Sequence, residues 1–336
     1  MIEVQWEYGM ALQFWSVATA SGELNRPRQA SPSAGAYGIG LLCWLLSAGV
    51  YITVKSTAAE MPPWTLCFWR TTIATLILLP AAHRHIKAVA AALRERWPEL
   101  LVIGGLGLAI TQGLMYIGLG YTSAINAALI VALMPVLTMM LARFFLGEVM
   151  GPWQGIGSVV ACVGMGIIIV RGDLFVLLHL DFSAGDLFIV AGAVSFALYT
   201  VLLRRANFPL ERLPLLVLLL ASGAITALPF YAWEILHDER TALKPAGLLG
   251  LAYMAVPGGA LMYYLFNWSV EKLGASKAGT LLYSQTVFIA ILAHIFLGER
   301  LHLYHLVGAA FILAGVLLVT LLKPPPVDWT GAGRKR

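Results

Sequence analysis

The sequence predicts an all-α integral membrane protein, with ten transmembrane helices arranged as two inverted five-helix repeats. Three observations lead there: an apolar composition, apolar runs of membrane length, and an FLGE string that closes such a run twice, 151 residues apart. Of the 336 residues, 60% are hydrophobic and only 12% charged, against about 25% charged in a soluble domain. Mean hydropathy is +0.82. A bilayer core about 30 Å thick accommodates about 20 apolar residues in a helix. The runs are continuous rather than alternating with period two, which selects helices over a β-barrel, the other structure that satisfies its backbone within lipid.

Residues 1–35 come first and differ from the rest. MIEVQWEYGMALQFWSVA is mixed, and SGELNRPRQASPSAG is polar, with Pro and Gly. Glu3 and Glu7 precede any Lys or Arg, unlike a cleaved leader, so the segment is expected to be a disordered cytoplasmic tail. The first repeat, 36–170, holds apolar runs at 36–58, 64–81, 100–119, 124–146 and 153–170. A linker at 171–183 follows. The second repeat, 184–322, holds runs at 185–203, 213–232, 247–270, 275–296 and 303–322, and 323–336 form a basic cytoplasmic tail.

Orientation follows from the basic residues near span ends. With the N-terminus cytoplasmic, inside segments hold fifteen Lys and Arg, and outside segments hold four: Arg171, Arg240, Lys244 and Arg300. Both termini are therefore expected inside. The net charge of +5 reflects this asymmetry and contact with anionic membrane lipids, not nucleic acid.

The repeat is internal duplication. A shift of 151 aligns Ala124 with Ala275, Phe145 through Glu148 with Phe296 through Glu299, Gly157 with Gly308 and Gly164 with Gly315. A shift of 148 or 149 aligns Ser47 with Ser195, Tyr51 with Tyr199 and Pro80 with Pro229. An odd number of helices per unit makes the second copy enter from the opposite side, as in carriers that switch between inward-open and outward-open forms. In each FLGE string Gly suits a helix end and Glu the start of the next helix, so both read as turns rather than sites.

Two five-helix units, Lys55 ending the first helix, Pro62 and Pro63 in the turn, Arg70 early in the second helix, and FLGE before a Gly-spaced helix in each half together resemble the EamA-type drug/metabolite transporter superfamily. Similarity looks closest to its bacterial YddG-type amino-acid exporters, over roughly residues 36 to 322. The resemblance implies helices around a central cavity, export of small metabolites such as amino acids, and a bacterial inner membrane.

Polar residues in lipid are costly unless they face protein or water, so those with helical spacing point to a pathway. Ser47 and Tyr51, Ser195 and Tyr199, Gln112 and Tyr116, and Tyr263 and Asn267 are each spaced i, i+4, which puts each pair on one helix face. Tyr283, Ser284, Gln285 and Thr286 form a polar cluster in the ninth run, and Trp44 lies midway along the first. The competing reading is that these groups only hydrogen-bond between helices. Lys55 and Arg70 lie within spans, where a charge at the helix centre costs about 2.5–3.5 kcal/mol on insertion scales. They read either as a cationic patch for a substrate carboxylate, or as snorkelling for Lys55 and helix-end bonding for Arg70.

No Asp or Glu lies deep inside a span, and His294 is the one candidate for a proton relay. Facilitated diffusion or exchange is therefore preferred to proton antiport; a proton-coupled multidrug exporter of the same superfamily is the alternative. A membrane enzyme is disfavoured. Cys43, Cys67 and Cys162 fall within spans as packing residues, and the histidines show no HExxH-type spacing. No catalytic residue, metal or cofactor is expected, and the protein is a monomer or homodimer. A kink is expected at Pro135, at Pro257 or at both. Gly157, Gly164 and Gly166 are expected to face Gly308 and Gly315 in a peripheral helix pair.

Overall fold

The computed structural model describes residues 34–58, 60–82, 85–146, 151–173, 183–237, 245–273 and 281–321. The expected tails, most of the linker and the first FLGE pair Gly147 and Glu148 lie outside the described residues. Everything regular among the described residues is helical. α1 spans Ala34–Thr57 and α2 spans Pro63–Ala82. α3 runs through Ile86–Gly104, kinked at Arg96, a π turn over Gly105–Ile110, and Thr111–Tyr121. α4 comprises Ala124–Val131 and Met134–Leu146; α5 is Pro152–Ile169, α6 Ala184–Ala206 and α7 Arg212–His237. α8 joins Pro245–Ala255, a π turn over Val256–Leu261, and Met262–Leu273; α9 is Leu282–Leu297 and α10 Leu303–Leu321.

Six helices, α1, α3, α4, α6, α7 and α8, are long and apolar enough to cross a membrane, and α5, α9 and α10 carry shorter apolar helices. A helical segment that begins at Ile86 precedes the apolar run of α3 and is set off from it by a kink at Arg96, where the backbone leaves helical geometry at φ −132° and ψ 24°. The break in α4 falls at Ala132 and Leu133, ahead of Pro135, which cannot donate to the preceding turn. Pro257 opens the π turn of α8. Proline is not required, however, because α3 carries the same turn without one.

The two π turns begin at Gly105 and Val256 and end at Ile110 and Leu261. These are the positions related by the 151-residue shift. Neighbour relations repeat in the same way. α1 packs on α8 and α9, while α6 packs on α3 and α4; α3 meets α7 as α8 meets α2; α2 pairs with α7, and α5 with α10. Exchanging each helix for the one five places along maps these pairings onto one another, whereas the packing of α3 on α1 and α2 and of α10 on α4 is not matched in the same way among the described residues.

The α5–α10 seam is backbone against backbone. A Cβ on Gly164 would stand 2.7 Å from the Gly308 carbonyl oxygen, and one on Gly315 would collide with the Gly157 carbonyl. Gly166 does not take part, since a Cβ there would meet nothing within 4 Å. Aromatic rings hold α2 to α7. Trp64 stacks on Phe230 at 4.2 Å, Phe68 stacks on Tyr231 at 4.4 Å, and Trp69 Nε1 donates to the Tyr231 hydroxyl at 3.1 Å.

Helix ends are satisfied by side chains from distant helices. Helix termini leave unpaired N–H and C=O groups that are costly away from water. At the start of α2, Pro63 has no N–H to satisfy, and Glu234 of α7 accepts from Trp64 N at 3.0 Å and Thr65 N at 2.7 Å. At the start of α4, Glu299 accepts from Ala124 N at 2.8 Å and Ile125 N at 3.1 Å, and Ser123 Oγ accepts from Asn126 N at 2.9 Å. Gly298, at φ 66°, ends α9 in the left-handed conformation. The turn role expected for FLGE therefore holds for Gly298, but Glu299 caps α4 and not the next helix in the chain.

Candidate substrate pathway

Each π turn frees carbonyls from the helical ladder, and in both cases a side chain from the other half serves them. In α3 the Leu106 carbonyl accepts from Ser195 Oγ of α6 at 3.0 Å and from Thr111 Oγ1 at 2.8 Å. In α8 the Met254 carbonyl accepts from Arg70 Nε, and the Gly258 carbonyl from Arg70 Nη2, each at 3.3 Å. Arg70, 4% exposed on α2, is thus drawn between helices.

Three of the expected tyrosines gather there. The Arg70 guanidinium carbon lies 5.9 Å from the Tyr263 ring centroid, and Tyr51 and Tyr116 are close enough to interact electrostatically with the charge. α1, α2, α3 and α8 therefore each contribute a side chain to one cluster. Tyr116 is 4% exposed and its hydroxyl has no hydrogen-bond partner among the described residues. Tyr199 is fully buried, with its ring against Gly107 in the π turn of α3.

Other expected residues sit nearby or apart. Gln285 Nε2 of α9 donates to Ser47 Oγ of α1 at 2.9 Å, joining two candidates. Trp44 meets Phe266 of α8 edge-on at 5.2 Å. Ser284 Oγ donates to the Leu281 carbonyl at 2.6 Å, within its own helix start. Gln112 is partly buried. The side chains of Asn267 and Tyr283 lie outside the described residues. Lys55 is separate from Arg70's partners: its Nζ donates to the Leu119 carbonyl at 3.1 Å and to the Thr122 carbonyl, closing the end of α3.

A second polar cluster lies outside the residues that helical spacing singles out. Asp186, in the first turn of α6, is fully buried and accepts from the Thr122 hydroxyl. His305 Nε2 pairs with Asn126 Oδ1 at 2.9 Å, and its Nδ1 accepts from His302 N at 2.9 Å. That geometry requires a neutral His305 with its proton on Nε2. His294, the one candidate for a relay in the sequence, is exposed and contacts the Glu299 carbonyl. Asp186 and Glu234 lie near the ends of their helices, where an acid carries no sequence signal of burial. Ser183 three residues before Asp186, a capping pattern, was the available signal.

The EamA-like transporter family model matches twice, over residues 35–170 and 183–321. The chain belongs to the EamA-like transporter family. Membership in a family of transporters decides against the enzyme reading. Among its relatives, an uncharacterized transporter of Bacillus subtilis (strain 168), YyaM, is 28% identical over 81% of this chain and 89% of its own length. A probable terminal-alkyne amino-acid exporter of Streptantibioticus cattleyicolor is 27% identical over 66% of this chain and 72% of its own. A solved crystal structure shares the fold with a TM-score of 0.57 at 23% identity, covering 86% of this chain and 97% of that one.

Proposed function

We propose that this EamA-family protein exports amino acids or related small metabolites across a bacterial inner membrane by alternating access. In this reading ten helices form two inverted repeats, 36–170 and 184–322, with both termini cytoplasmic and the substrate held at the seam between the halves. The observation that carries it is the convergence of Arg70, Tyr51, Tyr116 and Tyr263 from four helices of both halves. A polar cluster buried between repeats is what a carrier needs and a scaffold in lipid does not.

The end-capping bonds support the alternation. They join the ends of α1, α3 and α9 with the starts of α4, α6 and α10, and the end of α7 with the start of α2. In a chain that crosses at every helix, all of these ends fall on the side opposite the N-terminus. The main pairings that repeat under a five-helix exchange, α1 on α8 and α9 as α6 on α3 and α4, and α3 on α7 as α8 on α2, support the same arrangement. The amino-acid assignment draws on the named exporter among the relatives.

The test is uptake of a panel of labelled amino acids into proteoliposomes, with and without an imposed pH gradient. Flux of at least one amino acid, unaltered by the gradient, is the expected outcome for a facilitator or exchanger; no flux for any member of the panel contradicts the amino-acid reading. A second reading, proton coupling, is favoured by Asp186, whose Oδ2 is buried with no hydrogen-bond partner among the described residues. Gradient-driven accumulation that disappears in Asp186→Asn would select it.

A further inference from the structure

The geometry points to a carboxylate-binding subsite formed by the Arg70 guanidinium and the Tyr116 hydroxyl, which sets the protein's preference for anionic or zwitterionic substrates over purely cationic ones. The inference deepens the transport reading and rests on it for its physiological meaning.

The first ground is charge. Arg70 is buried and stays cationic at any physiological pH. Its contacts are two backbone carbonyls and Tyr263, which it meets both over the ring and by a side-chain hydrogen bond, all neutral. Among the described residues no carboxylate forms an ion pair with it. Glu234, at the outer end of α2, has both oxygens engaged by the Trp64 and Thr65 N–H groups. Carbonyl dipoles and an aromatic face orient a guanidinium but leave its net charge uncompensated in a low-dielectric interior.

The second ground is an unused donor. The Tyr116 hydroxyl is buried and has no hydrogen-bond partner among the described residues; it stands on α3, which packs against the α2 helix that carries Arg70, and interacts electrostatically with that charge. Buried polar groups are ordinarily paired, and an exception calls for a ligand or a functional reason. A carboxylate supplies both missing elements, since one oxygen can accept from the guanidinium fork and the other from the phenol. An ammonium group supplies neither and would meet like charge. Lys55, the other cation considered, is committed to the end of α3 and lies outside the subsite.

Thermal unfolding of the purified protein tests the subsite without relying on transport. The probes are 3-phenylpropanoate and 3-phenylpropylammonium, near-isosteres of opposite charge, titrated at constant ionic strength. The expected result is a saturable rise in Tm with the carboxylate alone. Tyr116→Phe is expected to keep the unliganded Tm, because its hydroxyl has no bond to lose, and to weaken the carboxylate about tenfold. Arg70→Gln is expected to abolish the response. Equal stabilisation by both probes, stabilisation by neither, or unchanged carboxylate binding in Tyr116→Phe would overturn the inference. If the carboxylate binds as expected but no amino acid is carried in proteoliposomes, the amino-acid reading fails and the subsite stands.

Discussion

Glu299 follows α9 in the chain, yet it starts α4: its Oε1 accepts from the Ala124 N–H at 2.8 Å, across 175 residues of sequence. With Oε2 on Ile125 N, the carboxylate satisfies two orphan donors and lies against the positive end of the helix dipole. One side chain thereby ties the end of the second repeat to the middle of the first. Glu299→Ala is expected to destabilise by about 1–2 kcal/mol, read as a lowered Tm in detergent, with Glu299→Gln intermediate because it keeps an acceptor. An unchanged Tm in Glu299→Ala would remove the cap from the account.

The Leu106 carbonyl in the π turn of α3 has two donors, Ser195 Oγ and Thr111 Oγ1. Ser195→Ala alone is therefore expected to cost less than about 1 kcal/mol, and Ser195→Ala with Thr111→Val about 1–3 kcal/mol more than the sum of the singles. Strict additivity in that double-mutant cycle would show that the carbonyl does not need either hydroxyl.

Lys55 ends α1 but serves α3, donating to the carbonyls of Leu119 and Thr122. Lys55→Met is expected to lower Tm while leaving the carboxylate response of the protein intact. Loss of that response with an unchanged Tm would return Lys55 to the pathway.

Gly164 and Gly308 let α5 and α10 meet at backbone distance, since a Cβ on Gly164 would lie 2.7 Å from the Gly308 oxygen. Gly164→Val is expected to cost about 1–3 kcal/mol by overpacking, whereas Gly166→Val, at an open position, is expected to be nearly neutral. Thermal unfolding of the two variants side by side gives the comparison.

The six helices long and apolar enough to cross a membrane were legible because lipid imposes length and hydrophobicity on each segment separately, so a local reading finds them. The i, i+4 pairs Gln112 with Tyr116 and Ser47 with Tyr51 were legible for the same reason: helical spacing is a local property. What stayed hidden is set by tertiary neighbours. Nothing in FLGER indicates that Glu299 caps α4, and nothing in SAGD indicates that Asp186 meets Thr122. The π turns were hidden too, because an extra residue in one turn leaves the apolar pattern intact; only their recurrence at a 151-residue shift, seen in the backbone, ties them to the duplication. Ser195 and Arg70 were found as polar residues in spans, but their carbonyl partners became apparent only with those turns.

The central claim is that the two halves run antiparallel through the membrane. Tyr121 and Lys272 are equivalent under the 151-residue shift, and both are exposed at the ends of their helices. In a background with Cys43, Cys67 and Cys162 replaced, single cysteines at these positions can be treated with a membrane-impermeant maleimide. The account expects Tyr121→Cys to label in intact cells and Lys272→Cys only in inside-out vesicles; labelling of both from the same side would contradict it.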